Sequence, residues 1–331
     1  RSYLCCAVSA AHDFCRSMTT TAARSCLNLP APAKLNLFLH VIGQRSDGKH
    51  LLESIFILIN LFDTIDLIER FDGQLERTGD IIGAPEKDLC IRAAKALLTA
   101  AVDHGKRCCG QLPGATIHVQ KRIPAGAGMG GGSSAAATTL IGLNRLWKLG
   151  FDRNELAAIG EQLGADIPFF IKGANAFVEG IGERITPIEV PPGRYMVIWP
   201  GRSVSTADIF NAPALTRDSE SQTIHVFSDL LRNHWPALPG RNDLQTTAAQ
   251  FEPAVLEALD KLAALGPEFG EPRMTGSGSA VFAPILNGDA DASAPELSRL
   301  PSGWRGFCVS SLPEHPLKPW SEDAEEENLG V

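Results

Sequence analysis

KRIPAGAGMGGGSSAAATT (residues 121–139) places five glycines between Pro124 and Ser133, followed at once by two serines and three alanines. Glycine loses more backbone entropy on folding than any other residue, so a run this bare answers a need that side chains would obstruct. The run continues a strand-like segment, ATIHVQKRI (115–123), and leads into Ala136, Leu140, Leu143 and Trp147 at helical spacing, closed by Gly150. A flexible linker has polar sequence on both sides, which is not the case here. Gly126, Gly128 and Gly131 spell G-x-G-x-x-G. A dinucleotide-binding turn, however, needs a strand straight after the helix, ending in an acid about 20 positions on. Here Asp152 opens a second helix instead.

A cradle for phosphate fits the physics better. A helix start leaves its first N–H groups unpaired and carries about half a positive charge. Glycines let further amides converge on one cluster of oxygens and let that cluster come close. Ser133 and Ser134 would add hydroxyls facing phosphate or a metal ion, or would simply cap the helix. There is no G-x-x-x-x-G-K-[ST], so a phosphate-facing lysine is sought elsewhere in the chain.

The chain around this stretch has 331 residues, 44% hydrophobic and 21% charged, a length suited to about two domains. Its net charge of -8 argues against a protein that coats nucleic acid. No apolar run reaches the length of a membrane span; the nearest, IFILINLF (55–62), reads as a buried strand. Eight cysteines without a C-x-x-C pair point to a reducing, cytoplasmic setting rather than to zinc or disulfides. Residues 1–28 hold four of those cysteines and a single acid, Asp13. They read as a disordered or non-native extension, either a targeting peptide or sequence upstream of a start at Met18, the latter preferred. Residues 318–331 read as an acidic, disordered tail.

PAKLNLFLHVIG (32–43) alternates, with Leu35, Leu37, Leu39 and Val41 on one face and Lys34, Asn36 and Phe38 on the other. An Asp-Gly turn follows, then a strand ending near Phe62. EKDLCIRAAKALLTAAVDHG (86–105) reads as a helix capped by Asp88, and Asp152 and Glu155 form a capping box. Strand-like pieces run from there to ERITPIEV, and PPGR (191–194) marks a boundary between domains 29–190 and 191–317. The second half offers a strand at YMVIWP, helices near 206–212, 221–233 and 243–264, and a last strand at GFCVSSL. The class expected is α+β.

Three separated segments, PAKLNLFL (32–39), PAGAGMGGGSSAA (124–136) and TGSGSAVF (275–282), resemble in order and spacing the motifs of the GHMP small-molecule kinases. GQRSDGKHLLESIF, LGADIPFFIKGANAFVEGIGE and SLPEHPL are similar to the branch acting on cytidine-diphosphate-linked methylerythritol in non-mevalonate isoprenoid synthesis. The likeness spans residues 29–317 and implies two domains with the active site between them. It implies ATP as donor, with Mg²⁺, and a small-molecule acceptor phosphorylated at its 2-hydroxyl. Lys34 and Asp166 would be the catalytic pair. Pro124, Ala125, Gly126, Ala127, Gly128, Met129, Gly130, Gly131, Gly132, Ser133 and Ser134 would wrap the ATP phosphates. Asn36, His50, Thr206, Phe210 and Thr275 would meet the substrate, His50 by hydrogen bonding to the base and Phe210 by stacking on it.

On spacing alone, Asp166 could be only a helix cap and Lys34 only a solvated strand residue. Two positions depart from the family pattern: Lys49 stands where an aromatic usually precedes the histidine, and Asp88 where asparagine is usual. Another GHMP kinase, for homoserine, mevalonate or a sugar, is the alternative, and a nicotinamide oxidoreductase a remote one. No membrane partner and a monomer or weak homodimer are expected; which side chain meets a metal is left open.

Overall fold

A computed structural model describes residues 23–106, 113–286, 297 and 299–321. Two long antiparallel strands, β1 (Ser25–Gln44) and β2 (His50–Arg70), form its centre, joined across the Asp47-Gly48 turn. β1 starts inside the segment read as an extension: Ser25 and Cys26 pair with Ile68 and Leu67. Met18 and Cys5, Cys6, Cys15, Cys108 and Cys109 lie outside the described residues. β2 also runs well past Phe62, because its apolar and polar residues continue to pair with a further strand as far as Arg70.

β2 pairs with β4 (Gly114–Gln120), with β5 (Ala176–Gly180) and, at Leu58 and Ile59, with β10 (Arg305–Leu312). β3 (Leu75–Gly79) lies parallel to β4, and β6 (Arg184–Pro187) antiparallel to β5. Beyond β10 the sheet continues through β7 (Arg194–Trp199), β9 (Val281–Pro284) and β8 (Arg273–Met274). Helices and a mixed sheet give the α+β class expected.

The alternation read in β1 does not survive along its length. The register slips between Asn36 and Leu39, so Phe38 joins Leu35 and Leu37 in one cluster while Leu39 and Val41 pack in another. The polar face is no surface either: Lys34 is 3% exposed and Asn36 1%.

α1 (Leu89–Asp103), α2 (Gly131–Trp147), α3 (Arg153–Glu161) and α4 (Ile167–Lys172) share one core cluster with Leu29, Ile65, Leu67 and Ile117 of the sheet. The Asp88 carboxylate accepts the Cys90 and Ile91 N–H groups, and the Asp152–Glu155 capping box forms. α2 buries Ala136, Leu140, Leu143 and Trp147 as its spacing predicts, but buries most of its other residues too. Its small residues permit this: a Cβ on Gly142 would meet Leu67 and Leu29. IPFFIK, read among strand-like pieces, is α4, opened by Pro168 near its N-terminus, where proline's missing N–H costs nothing.

The second half carries α5 (Thr206–Asn211), α6 (Ile224–His234), α7 (Gln245–Phe251) and α8 (Ala254–Ala263). The single helix expected over 243–264 is split at Glu252-Pro253, since proline can neither donate to an α-helix interior nor leave its predecessor helical. The acidic tail begins in order: residues 318–321 form a 3₁₀ turn, with the Arg145 guanidinium 4.5 Å from the centre of the Trp320 ring. Among the described residues no helix is long and apolar enough to cross a membrane.

Candidate active site

Between β4 and α2 the backbone passes through three left-handed glycines, Gly126 (φ +65°), Gly128 (φ +75°) and Gly130 (φ +71°). Gly130 is the N-cap of α2, and a Cβ there would press on the Phe170 ring at 2.8 Å and on Lys34 Cγ at 3.2 Å. A Cβ on Gly128 would strike the Thr275 carbonyl of the TGSGS turn. Backbone bonds hold the loop from both sides: Lys34 N–H donates to Met129 O (3.0 Å) and Ala280 N–H to Ala127 O (3.2 Å). The loop thus forms one wall of a cavity of about 410 Å³, lined by residues 124–133 together with Asp88, Lys121, Thr206 and Ser277. Amides at a helix start, with no side chains before them, are suited to oxyanions.

Ser133 lines this cavity. Ser134 is buried in the first turn of α2, and its hydroxyl has no partner among the described residues. Thr206 borders the same cavity at the start of α5, its hydroxyl 2.7 Å from that of Ser277.

Behind Gly130 the structure brings Lys34 and Asp166 together, with Lys34 Nζ 3.8 Å from Asp166 Oδ2. Lys34 Nζ donates to Asn36 Oδ1 (2.5 Å) and lies 4.3 Å from the centre of the Phe56 ring. Burial pulls the Lys34 pKa below the usual lysine value, and the Asp166 carboxylate works against that shift. Asp166 occupies the N-cap position of α4 yet makes no capping hydrogen bond, and its side chain is 32% exposed. Neither is the bland residue that spacing alone allowed: the lysine is not solvated, and the carboxylate is not engaged as a cap. Asn36 is held in turn, its N–H donating to Thr275 Oγ1 (3.0 Å) and its Nδ2 to Ser54 Oγ (2.9 Å). Thr275, wholly buried, backs this network.

His50 and Phe210 form a separate group at the opening of β2. Their rings stack on each other, centroids 4.9 Å apart and 26° from parallel, so no base fits between them. Arg217 Nε donates to His50 Nε2 at 3.1 Å. Burial and then the Arg217 charge push the His50 pKa below its ordinary value. Lys49 is exposed in the preceding turn. Asp88, the other departure, is neutralised where it stands: besides capping α1 it accepts from Arg77 Nε at 3.1 Å.

Two residues escaped the sequence reading. Lys121 pairs with the wholly buried Asp63 at the cavity wall, and Asp63 also accepts the Arg122 and Ile123 N–H groups at 2.7 and 2.9 Å. Its signal was its place, the last turn of chain before the glycines. Arg217 carried no local signal.

The description "GHMP kinases N terminal domain" fits residues 89–174. The 4-diphosphocytidyl-2-C-methyl-D-erythritol kinase of Herminiimonas arsenicoxydans is 44% identical over 295 residues, covering 89% of this chain and 98% of that one. Its counterpart from Methylibium petroleiphilum is 47% identical, covering 89% and 97%. The chain belongs to the 4-diphosphocytidyl-2-C-methyl-D-erythritol kinase family. A crystal structure of a 4-(cytidine 5'-diphospho)-2C-methyl-D-erythritol kinase superposes with a TM-score of 0.70 at 32% identity, covering 87% of this chain and 99% of its own. The Methanococcus jannaschii mevalonate kinase, at 14% identity and a TM-score of 0.58, shares the fold of this kinase family. As a member of the family, the chain is an ATP-dependent phosphotransferase.

Proposed function

We propose that the chain transfers the γ-phosphoryl group of ATP to the 2-hydroxyl of 4-diphosphocytidyl-2-C-methyl-D-erythritol, in the non-mevalonate isoprenoid pathway. The observation that carries this is the buried Lys34 ammonium beside an uncapped, half-open Asp166 carboxylate, directly behind Gly130 of the glycine loop. Asp166 takes the hydroxyl proton as the new bond to phosphorus forms. Lys34 keeps Asp166 ionised and offsets negative charge gathering on the transferred group. Free amides within the loop 125–133 hold the phosphates, leaving little covalent work for the protein. Magnesium takes few protein ligands and keeps several waters. The Ser133 hydroxyl on the cavity wall is an oxygen donor of the right kind, and the ion would neutralise charge on the triphosphate. Thr206 joins the nucleotide side of the site with the buried Thr275 behind it, while Phe210 and the edge of the His50 ring receive the cytidine. We further assign residues 29–190 and 191–317 to two domains that meet at this cavity. The cytoplasm is the setting proposed, on the scattered thiols of the sequence.

Asp166→Asn tests the assignment. Turnover is expected to fall by about 10²–10⁴, the range typical of a general base, while ATP binding by calorimetry stays close to wild type. Lost ATP binding would make Asp166 structural. ADP release with another alcohol but none with the cytidyl substrate would overturn the choice of acceptor.

A further inference from the structure

Residues 215–222 cross the β1–β2 hairpin as a strap tied at alternate positions. Arg217 reaches His50, Ser219 Oγ donates to Asp243 Oδ2 (2.6 Å), and Ser221 Oγ donates to Glu53 Oε1 (2.5 Å). The Ser219 N–H also donates to Val41 O (3.0 Å), and the Gln222 N–H to Glu53 Oε2 (3.1 Å). Three of these anchors, His50, Glu53 and Asp243, are buried polar groups, so the strap has one seating rather than many.

Arg217 does more than fasten the strap. Its Nη2 donates to Phe210 O (3.0 Å) and Ala212 O (2.8 Å), and its Nη1 to Leu215 O (3.1 Å). One guanidinium therefore fixes the end of α5, which carries Phe210, and the ring on which Phe210 stacks. Guanidinium has donors only. The His50 Nε2 that it faces must then be the bare, accepting nitrogen, and the ring proton must sit on Nδ1. Among the described residues Nδ1 has no hydrogen-bond partner, so it is the edge left for a ligand.

We propose that Arg217 is a positioning residue for substrate recognition, holding His50 as the Nδ1–H tautomer so that its free edge is a hydrogen-bond donor. A donor is what the bare N3 and O2 atoms of cytosine require. Protonating His50 would place a second N–H against the Arg217 Nε–H, so the ring can gain a proton only by breaking the pair. The surroundings leave this control to Arg217: across the hairpin His50 pairs with uncharged Gln44, α5 presents Phe210, and Arg217 is the charge acting on it. The choice of cytosine rests on the function proposed above; the tautomer is a property of the chain alone.

Long-range ¹H–¹⁵N spectra of the full-length protein read the tautomer directly, and wild type is expected to show a protonated Nδ1 and a bare Nε2. In Arg217→Met the ring should become a tautomer mixture whose titration moves up toward the ordinary histidine value yet stays below it, because burial remains. The KM for the cytidyl substrate should rise about tenfold, the effect of one lost buried hydrogen bond, with kcat and the KM for ATP little changed. A new acidic limb should appear in the kcat/KM profile. Arg217→Lys, which restores a donor but not the carbonyl anchors, should recover part of the KM. A wild-type ring protonated on Nε2 would overturn the proposal, and this holds even if Arg217→Met fails to fold. So would a substrate KM that stays put while the tautomer changes. A wild type with the expected tautomer but no turnover of the cytidyl substrate would sink the functional reading and leave this one standing.

Discussion

His315 lies in the apolar core, 1% exposed, with Nδ1 accepting the Leu317 N–H at 3.0 Å and Nε2 unpartnered among the described residues. Burial pushes its pKa down to about 4, against an ordinary value of 6.5. Below 6.5 the unfolded chain therefore binds a proton that the folded chain refuses, until the pH reaches about 4. This contribution is whole above 6.5 and is lost as the pH falls through that window, by about 3 kcal/mol at ~1.4 kcal/mol per pKa unit. Urea midpoints measured from pH 7 to 4 should fall more steeply for wild type than for His315→Gln; parallel slopes would refute the assignment. Such burial is invisible in a sequence, as it was for Lys34, whose strand pattern suggested a solvent face. Lys34 and Asp166 were legible because each sits in a recognisable short string. Arg217 was not, because its partner is 167 positions away and nothing local marks an arginine that will serve a distant imidazole.

At the scale of elements, what depended on near neighbours could be read and what depended on distant ones could not. The Asp88 and Asp152–Glu155 caps are decided within four residues and formed as expected. The slip in β1 is imposed by β2, and the wholesale burial of α2 by a sheet beneath it and helices beside it. The glycine loop was legible as a bare turn leading into a helix, yet its fit against the TGSGS turn and against Lys34 required coordinates. Gly130→Ala probes that fit. It forces an L residue into the left-handed region, costing about 1–2 kcal/mol, and its methyl group pushes on Lys34 and Phe170. Turnover at saturating ATP should drop together with the melting temperature. Full kcat in a folded variant would show that Lys34 need not stay where Gly130 leaves it.

Across the whole molecule, the middle core cluster joins what the sequence divided. Phe227 of α6 stacks on Phe38 of β1, centroids 4.1 Å apart, and packs near Phe177 of β5 at 5.5 Å. Tyr195, Val197 and Phe282 of the second half meet Leu35, Ile57 and Ile59 of the first in the same cluster. Phe227→Ala should cost about 3–5 kcal/mol, and unfolding should remain a single transition in both proteins by fluorescence and circular dichroism alike. Two separated transitions in wild type would show that the cluster does not couple the halves. The segments on either side of 191–194 thus contribute to one core cluster, a contact that local composition does not record. β10 closes the sheet between β2 and β7, and it is the last strand of the described chain. On a ribosome, which builds from the N-terminus, the strands before it must wait with two unpaired edges until Arg305–Leu312 emerges. A nascent chain stalled before residue 305 therefore offers those edges to chaperones or to its neighbours.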